Sequence, residues 1–184
     1  MRARALLLVG LTIAASGCAW SPDLGFGDAA ATERTSAVYA AVIRRLVMED
    51  HTFGMGPAPF ERVYVIDGVV DGAGDVYAEP KGPRKPFSPA VKRSISRALA
   101  DLPPVRFVSD REAVVVVGET SCAHVKNGGA LISLGPISKA RQGAVTVGNE
   151  LFVACLAGQW LTYVLERREG TWRVVGTKGP IAVS

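Results

Sequence analysis

The spacing of apolar residues changes once along this chain, at Pro103-Pro104, and the change limits the folds open to it. Upstream, Val38, Val42 and Leu46 recur every four residues, and Tyr39, Ile43 and Val47 repeat the interval one position on, opposite Arg44, Arg45 and Glu49. Such a stripe predicts an amphipathic helix, entered near Thr32-Glu33 and ending near His51, before Gly54-Met55-Gly56-Pro57. Phe60–Asp67 alternates as a strand does, and residues 68–86 read as a glycine-rich loop with room for one short strand. Ser88-Pro89 then supplies a cap and a first-turn proline for a second helix. Its Val91, Ile95, Ala98, Leu99 and Leu102 face the core, and the proline pair stops it. Downstream the period falls to two. Strands are expected at Val105–Val108, Val114–Val117, Leu131–Leu134, Ala144–Cys155, Trp160–Arg167 and Thr171–Gly176, the last two joined by a tight turn at Arg168-Glu169-Gly170. The four valines 114–117 imply a strand covered on both faces, a buried helix being the other reading of so short a run. Helices first and a meander of strands after predict an α+β fold, two main N-terminal helices packed on a mostly antiparallel C-terminal sheet.

The first residues lie outside this pattern. Met1-Arg2-Ala3-Arg4 is a short positive end, and Ala5–Ala15 runs eleven residues without a charge, the length of a signal-peptide core and about half a spanning helix. Ala15-Ser16-Gly17-Cys18 follows and resembles the lipobox of bacterial lipoproteins, in which the cysteine takes a diacylglycerol and becomes the new N-terminus. Three parts are therefore expected: a signal peptide over 1–17, a lipidated tether over 18–31 beginning at Cys18, and one α+β domain over 32–184. Several acyl chains on one residue make a durable anchor. The partner implied is membrane lipid, and the location is the extracytoplasmic side of a bacterial membrane in the cell envelope. Two alternatives are an ordinary secretory peptide cut elsewhere and an uncleaved anchor helix.

Charge argues against nucleic acid as a partner. The chain holds 21 basic and 17 acidic side chains. Without Arg2 and Arg4 the net charge is about +2, and the remaining cations are scattered rather than gathered in a stripe. Apart from Cys18 there are two cysteines, Cys122 and Cys155, an even pair in an oxidising compartment. A disulfide between them is expected; two buried thiols or intermolecular pairing are the other readings.

Candidate chemistry is sparse. Only His51 and His124 offer imidazole, and neither lies in a recognisable motif. Ser121-Cys122-Ala123-His124 is the most suggestive cluster, although oxidation of Cys122 would remove its nucleophile. Asp67, Asp71 and Asp75 lack the ligand ladder of a calcium loop and read as a solvated acidic turn. Gly72-Ala73-Gly74 has no phosphate-binding lysine after it, and Lys126-Asn127-Gly128-Gly129 is a tight turn entering a strand. No catalytic, cofactor-binding or metal-binding residue is assigned. A non-enzymatic binding or structural role is expected, with an envelope protein or an apolar ligand as partner. The alternative is a small-molecule-binding or catalytic pocket of the cystatin-like kind, which a deep pocket with His51 or a buried acid would favour.

The C-terminal half also resembles a family of small, uncharacterised bacterial envelope proteins and lipoproteins. The resemblance is carried by Gly129–Ile137, Ala144–Val147, Cys155-Leu156-Ala157-Gly158, Trp160–Arg167 and Gly170–Val175, with Val105–Val108 upstream, about 80 residues in all. Many relatives carry a second cysteine in the turn that here reads Leu156-Ala157-Gly158. Any hairpin-stapling role they imply would pass here to a Cys155–Cys122 bond. The resemblance implies no activity.

Overall fold

The computed structural model describes residues 26–51, 59–78, 82–83, 85–119 and 121–184. The segment expected as signal peptide and Cys18 lie outside these residues, as does the glycine-proline segment after His51.

Helix α1 spans Phe26–Met48 and helix α2 spans Pro89–Ala98. The first begins six residues earlier than its polar start signal predicts. Ala29-Ala30-Ala31 is intrinsically good helix and continues the coil into solvent, so 26–31 is helical rather than a loose tether. Val38, Val42, Ile43, Leu46 and Val47 are fully buried beneath it. In α2 the expected cap is in place: the Ser88 hydroxyl accepts from Val91 N–H at 3.2 Å. Arg44 joins the helices through two 2.7 Å bonds to Asp101 and a 2.9 Å bond to the Ala98 carbonyl.

Nine strands of the described residues form one sheet: β1 Arg62–Val69, β2 Val105–Val108, β3 Val115–Val117, β4 Ala123–Val125, β5 Gly129–Leu134, β6 Ser138–Lys139, β7 Val145–Ala154, β8 Ala157–Arg168 and β9 Thr171–Val183. Their spatial run is β2-β1-β5-β7-β8-β9. β1 is parallel to both β2 and β5, and the other pairings are antiparallel. Placing a helix between β1 and β2 makes that parallel pair possible, since parallel neighbours need a crossover. The sheet is thus mixed but mostly antiparallel, with both helices on one face. At the β8–β9 turn, Glu169 and Gly170 both adopt positive φ (51° and 81°), the twist that a two-residue hairpin requires.

Two cores result. Alternate residues of β1, β5, β7 and β8, including Val63, Ile132, Val147, Leu161 and Tyr163, meet the helices. Trp172 and Val174 of β9 join this core, Val174 directly opposite Leu165. The other face carries a smaller core of Tyr64, Ile66, Val70, Val114, Val125, Leu131 and Phe152. Its cover is the β3–β4 hairpin, which adds a strand, Ala123–Val125, absent from those expected and corrects one expectation. The valines 114–117 are not covered on both faces: Val114 is buried, whereas Val116 and Val117 are 41% and 70% exposed. A hairpin that covers a sheet has nothing covering its own outer side, and a short apolar run carries no period to reveal this.

Candidate functional site

A second element lies over this face. The turn at Asp71–Asp75 crosses the backbone of β7 at Gly148, where a Cβ would press into the Ala73 carbonyl oxygen. Gly74 is equally close: a Cβ there would sit 2.6 Å from the Leu161 carbonyl oxygen and 2.8 Å from the Gly148 Cα. Backbone can approach backbone this closely only where both strand and turn lack side chains. The glycines read as a solvated loop instead form a strap against the sheet. Its aspartates act separately. Asp67 accepts from Phe87 N–H at 3.0 Å and from Lys92 Nζ at 2.7 Å, fastening α2 to β1, while Asp75 accepts from Tyr77 N–H at 2.9 Å. Among the described residues no three His, Cys, Asp or Glu side chains are grouped to hold a metal ion.

Between the strap side and the β3–β4 side of the same face is a recess of about 290 Å³. Ile66, Val70 and Leu131 make its apolar wall, and Gly82 and Pro83 contribute to its rim. Ser133 of β5 and Glu150 of β7 also line it, directly opposite each other in the antiparallel register. Both are deeply set, 6% and 8% exposed. Arg111, from the segment ahead of β3, donates from Nη1 to Glu150 Oε1 at 3.1 Å. Its guanidinium also lies 3.8 Å from the centroid of the Phe152 ring, two residues along β7 on the same side, a favourable cation–π placement. Asp110 turns its carboxylate to Ala113 N–H (2.8 Å) and Ser109 Oγ (2.7 Å), so it shapes the segment that delivers Arg111. Glu112 is exposed at the rim.

The polar groups of the recess are under-used. Glu150 Oε2 and the Ser133 hydroxyl have no hydrogen-bond partner among the described residues. Neither is sealed from the recess, in contrast to Asn149 Oδ1 and Gln159 Nε2, which are wholly enclosed without partners. A larger depression of about 500 Å³ runs beside the first half of α1, but its charged groups Glu33, Arg34 and Arg167 are exposed and freely hydrated.

The residues singled out from sequence are dispersed. Cys122 and Cys155 form a disulfide with Cα atoms 5.5 Å apart, which ties the turn before β4 to the turn after β7. Cys122 is therefore no nucleophile. His124 is exposed, its Nδ1 3.4 Å from the Cys122 carbonyl oxygen. His51 is buried against Phe60 and does not line the recess, ring centroids 6.0 Å apart. Asn127 and Gly128 form the tight turn before β5, with φ of 57° and 55°. Sequence reasoning passed over Ser133, Glu150 and Arg111. A signal was present, since Glu150 is an acid in the middle of a ten-residue apolar strand. Nothing local announces Arg111, whose partners are 39 and 41 residues away.

Comparison with family models, with curated proteins and with solved structures returned no match. No described helix is long and apolar enough to cross a membrane.

Proposed function

We propose that this chain is a lipid-tethered protein of the bacterial cell envelope whose domain binds a small ligand in the recess on the sheet face opposite the helices, without catalysing its conversion. The observation that carries the binding reading is the pair of deeply set polar side chains, Ser133 and Glu150, whose unbonded oxygens stay accessible from the recess beside an apolar wall. A few convergent polar groups in a largely apolar concavity are what orients a small ligand. The Cys122–Cys155 disulfide supports an oxidising compartment, and the leader ending at Cys18 supports export and lipidation. A buried acid in a pocket is the feature that favours the pocket reading over a purely structural role. Its position away from both imidazoles supports binding over acid–base chemistry.

Intact mass spectrometry of the protein extracted from bacterial membranes tests the anchor. The expected product lacks residues 1–17, carries diacylglycerol and acyl mass on Cys18, and gains about 2 Da on reduction as the single disulfide opens. Cys18→Ala is expected to leave the precursor unprocessed. An unlipidated chain with free thiols would sink the envelope assignment.

A further inference from the structure

We infer that the recess takes a small organic ammonium, a protonated amine on a short aliphatic body, with its N–H groups shared between Glu150 Oε2 and the Ser133 hydroxyl. This deepens the reading of the recess as a binding site and does not depend on the lipid anchor.

A carboxylate such as that of Glu150 has about four acceptor positions, and burying it is costly unless they are filled. Here a single 3.1 Å bond from Arg111 reaches one oxygen, although the residue is only 8% exposed. Arg111 reaches Oε1 through Nη1 while its guanidinium rests on the Phe152 ring. The second oxygen has no donor among the described residues and is open to one brought from outside. Ser133, directly across the register, places a hydroxyl where the same donor group would find a second acceptor.

The donor's class follows from what surrounds it. Among the described lining residues, Glu150, Asp110 and Glu112 outnumber Arg111, a balance that favours a cation over an anion. A hard divalent cation wants six or more oxygen ligands. One free carboxylate oxygen and one hydroxyl fall far short, and Asp110 is already committed to Ala113 and Ser109. An ammonium needs only about three acceptors and tolerates water for the third. Ile66, Val70 and Leu131 add a wall for hydrocarbon, and about 290 Å³ accommodates a small ligand with a short aliphatic body.

The test uses the full-length chain in a neutral detergent, with amide NMR shifts of Leu131, Ser133 and Glu150 as the readout. n-Butylammonium is titrated alongside its neutral counterpart n-butanol and the anion butyrate. Saturable shifts at these three residues are expected for the ammonium, at least about tenfold tighter than for the alcohol, as one charge-assisted bond in a dry site provides. Glu150→Gln, which keeps an acceptor for Arg111, should weaken the ammonium about tenfold or more and leave the alcohol unchanged. Ser133→Ala should weaken it roughly threefold. If the alcohol or butyrate shifts these residues as strongly as the ammonium does, the ligand class is wrong while the recess remains a binding site. If none of the three probes produces saturable shifts, this inference is overturned and the binding reading loses its ground with it. The comparison of the three probes on the unaltered protein decides the matter even if Glu150→Gln does not fold.

Discussion

Individual side chains in this protein act chiefly by settling buried charge. Arg111 is the cation paired with the deeply set Glu150, so Arg111→Ala should destabilise the domain by about 1 to 3 kcal/mol, discounted for the partial exposure of the arginine. Urea unfolding would show it, and the double variant with Glu150→Gln should recover part of the loss. On the helix side, the Tyr163 hydroxyl donates to Asp50 Oδ2 at 2.7 Å, and Arg45 Nε meets the same oxygen at 2.9 Å. Burial raises the Tyr163 phenol well above its usual range and the bond to the Asp50 carboxylate adds to the rise, so it remains a donor at any physiological pH. Tyr163→Phe should cost roughly 1.5 to 3 kcal/mol in the same measurement, as a hydrogen bond to a charged group does. At the surface, the hydrogen bonds from Arg44 hold the Asp101 carboxyl at about 2 against an ordinary 3.8. A depressed acid stabilises the fold above its unfolded value, and here the contribution disappears as pH falls from about 4 to about 2. Arg44→Gln should flatten the acid limb of the stability profile across that window.

At the scale of elements, the cover of the second face is held differently from the cover of the first. The helices bury long apolar stripes, whereas β3–β4 is paired in register with β7 at His124 and Ala154, with the Cys122–Cys155 bond beside it and the smaller core beneath. Closing 33 residues constrains the unfolded chain by roughly 3 to 4 kcal/mol on the simple entropy estimate. Reduction should therefore lower global stability by up to that amount. It should also raise amide exchange first in Val115–Val125, leaving β5, β7 and β8 protected until global unfolding. The strap is held instead by close backbone contact. Gly148→Ala would force a methyl group against the Ala73 carbonyl and should cost about 1 to 3 kcal/mol. Gly176→Ala in β9, where nothing lies within 4 Å, should be neutral or slightly stabilising. Thermal unfolding of the two variants separates close packing from a general intolerance of alanine in strands.

The whole molecule is a sheet with unequal covers, and its pH limits reflect the thicker one. Tyr39, buried under α1 and donating to the Gly135 carbonyl at 3.0 Å, has its phenol pushed up to about 12 by burial. A raised value stabilises the fold fully below the unfolded 10.0 and is lost as pH climbs from there to about 12, so alkaline unfolding should steepen in that window and soften in Tyr39→Phe. The layer order itself was legible in the sequence. The four-residue spacing of Val38, Val42 and Leu46, the Ser88-Pro89 cap, the proline stop and the period-two strands after it are local instructions, carried by sterics and backbone hydrogen bonding. They set two helices, a late meander and the turn at Glu169-Gly170 without reference to distant residues. Even the disulfide could be expected from parity and compartment. Tertiary structure alone decided that β1 lies parallel between β2 and β5, that the valines of β3 face water, and that the glycines after Val70 lie on the sheet. It alone brought Arg111 to Glu150 and Ser133. Those outcomes depend on which surfaces meet, and one chain segment carries no record of the face its neighbour will cover. The recess was therefore invisible locally, since its acid, its hydroxyl and its cation come from three segments joined only when the sheet closes.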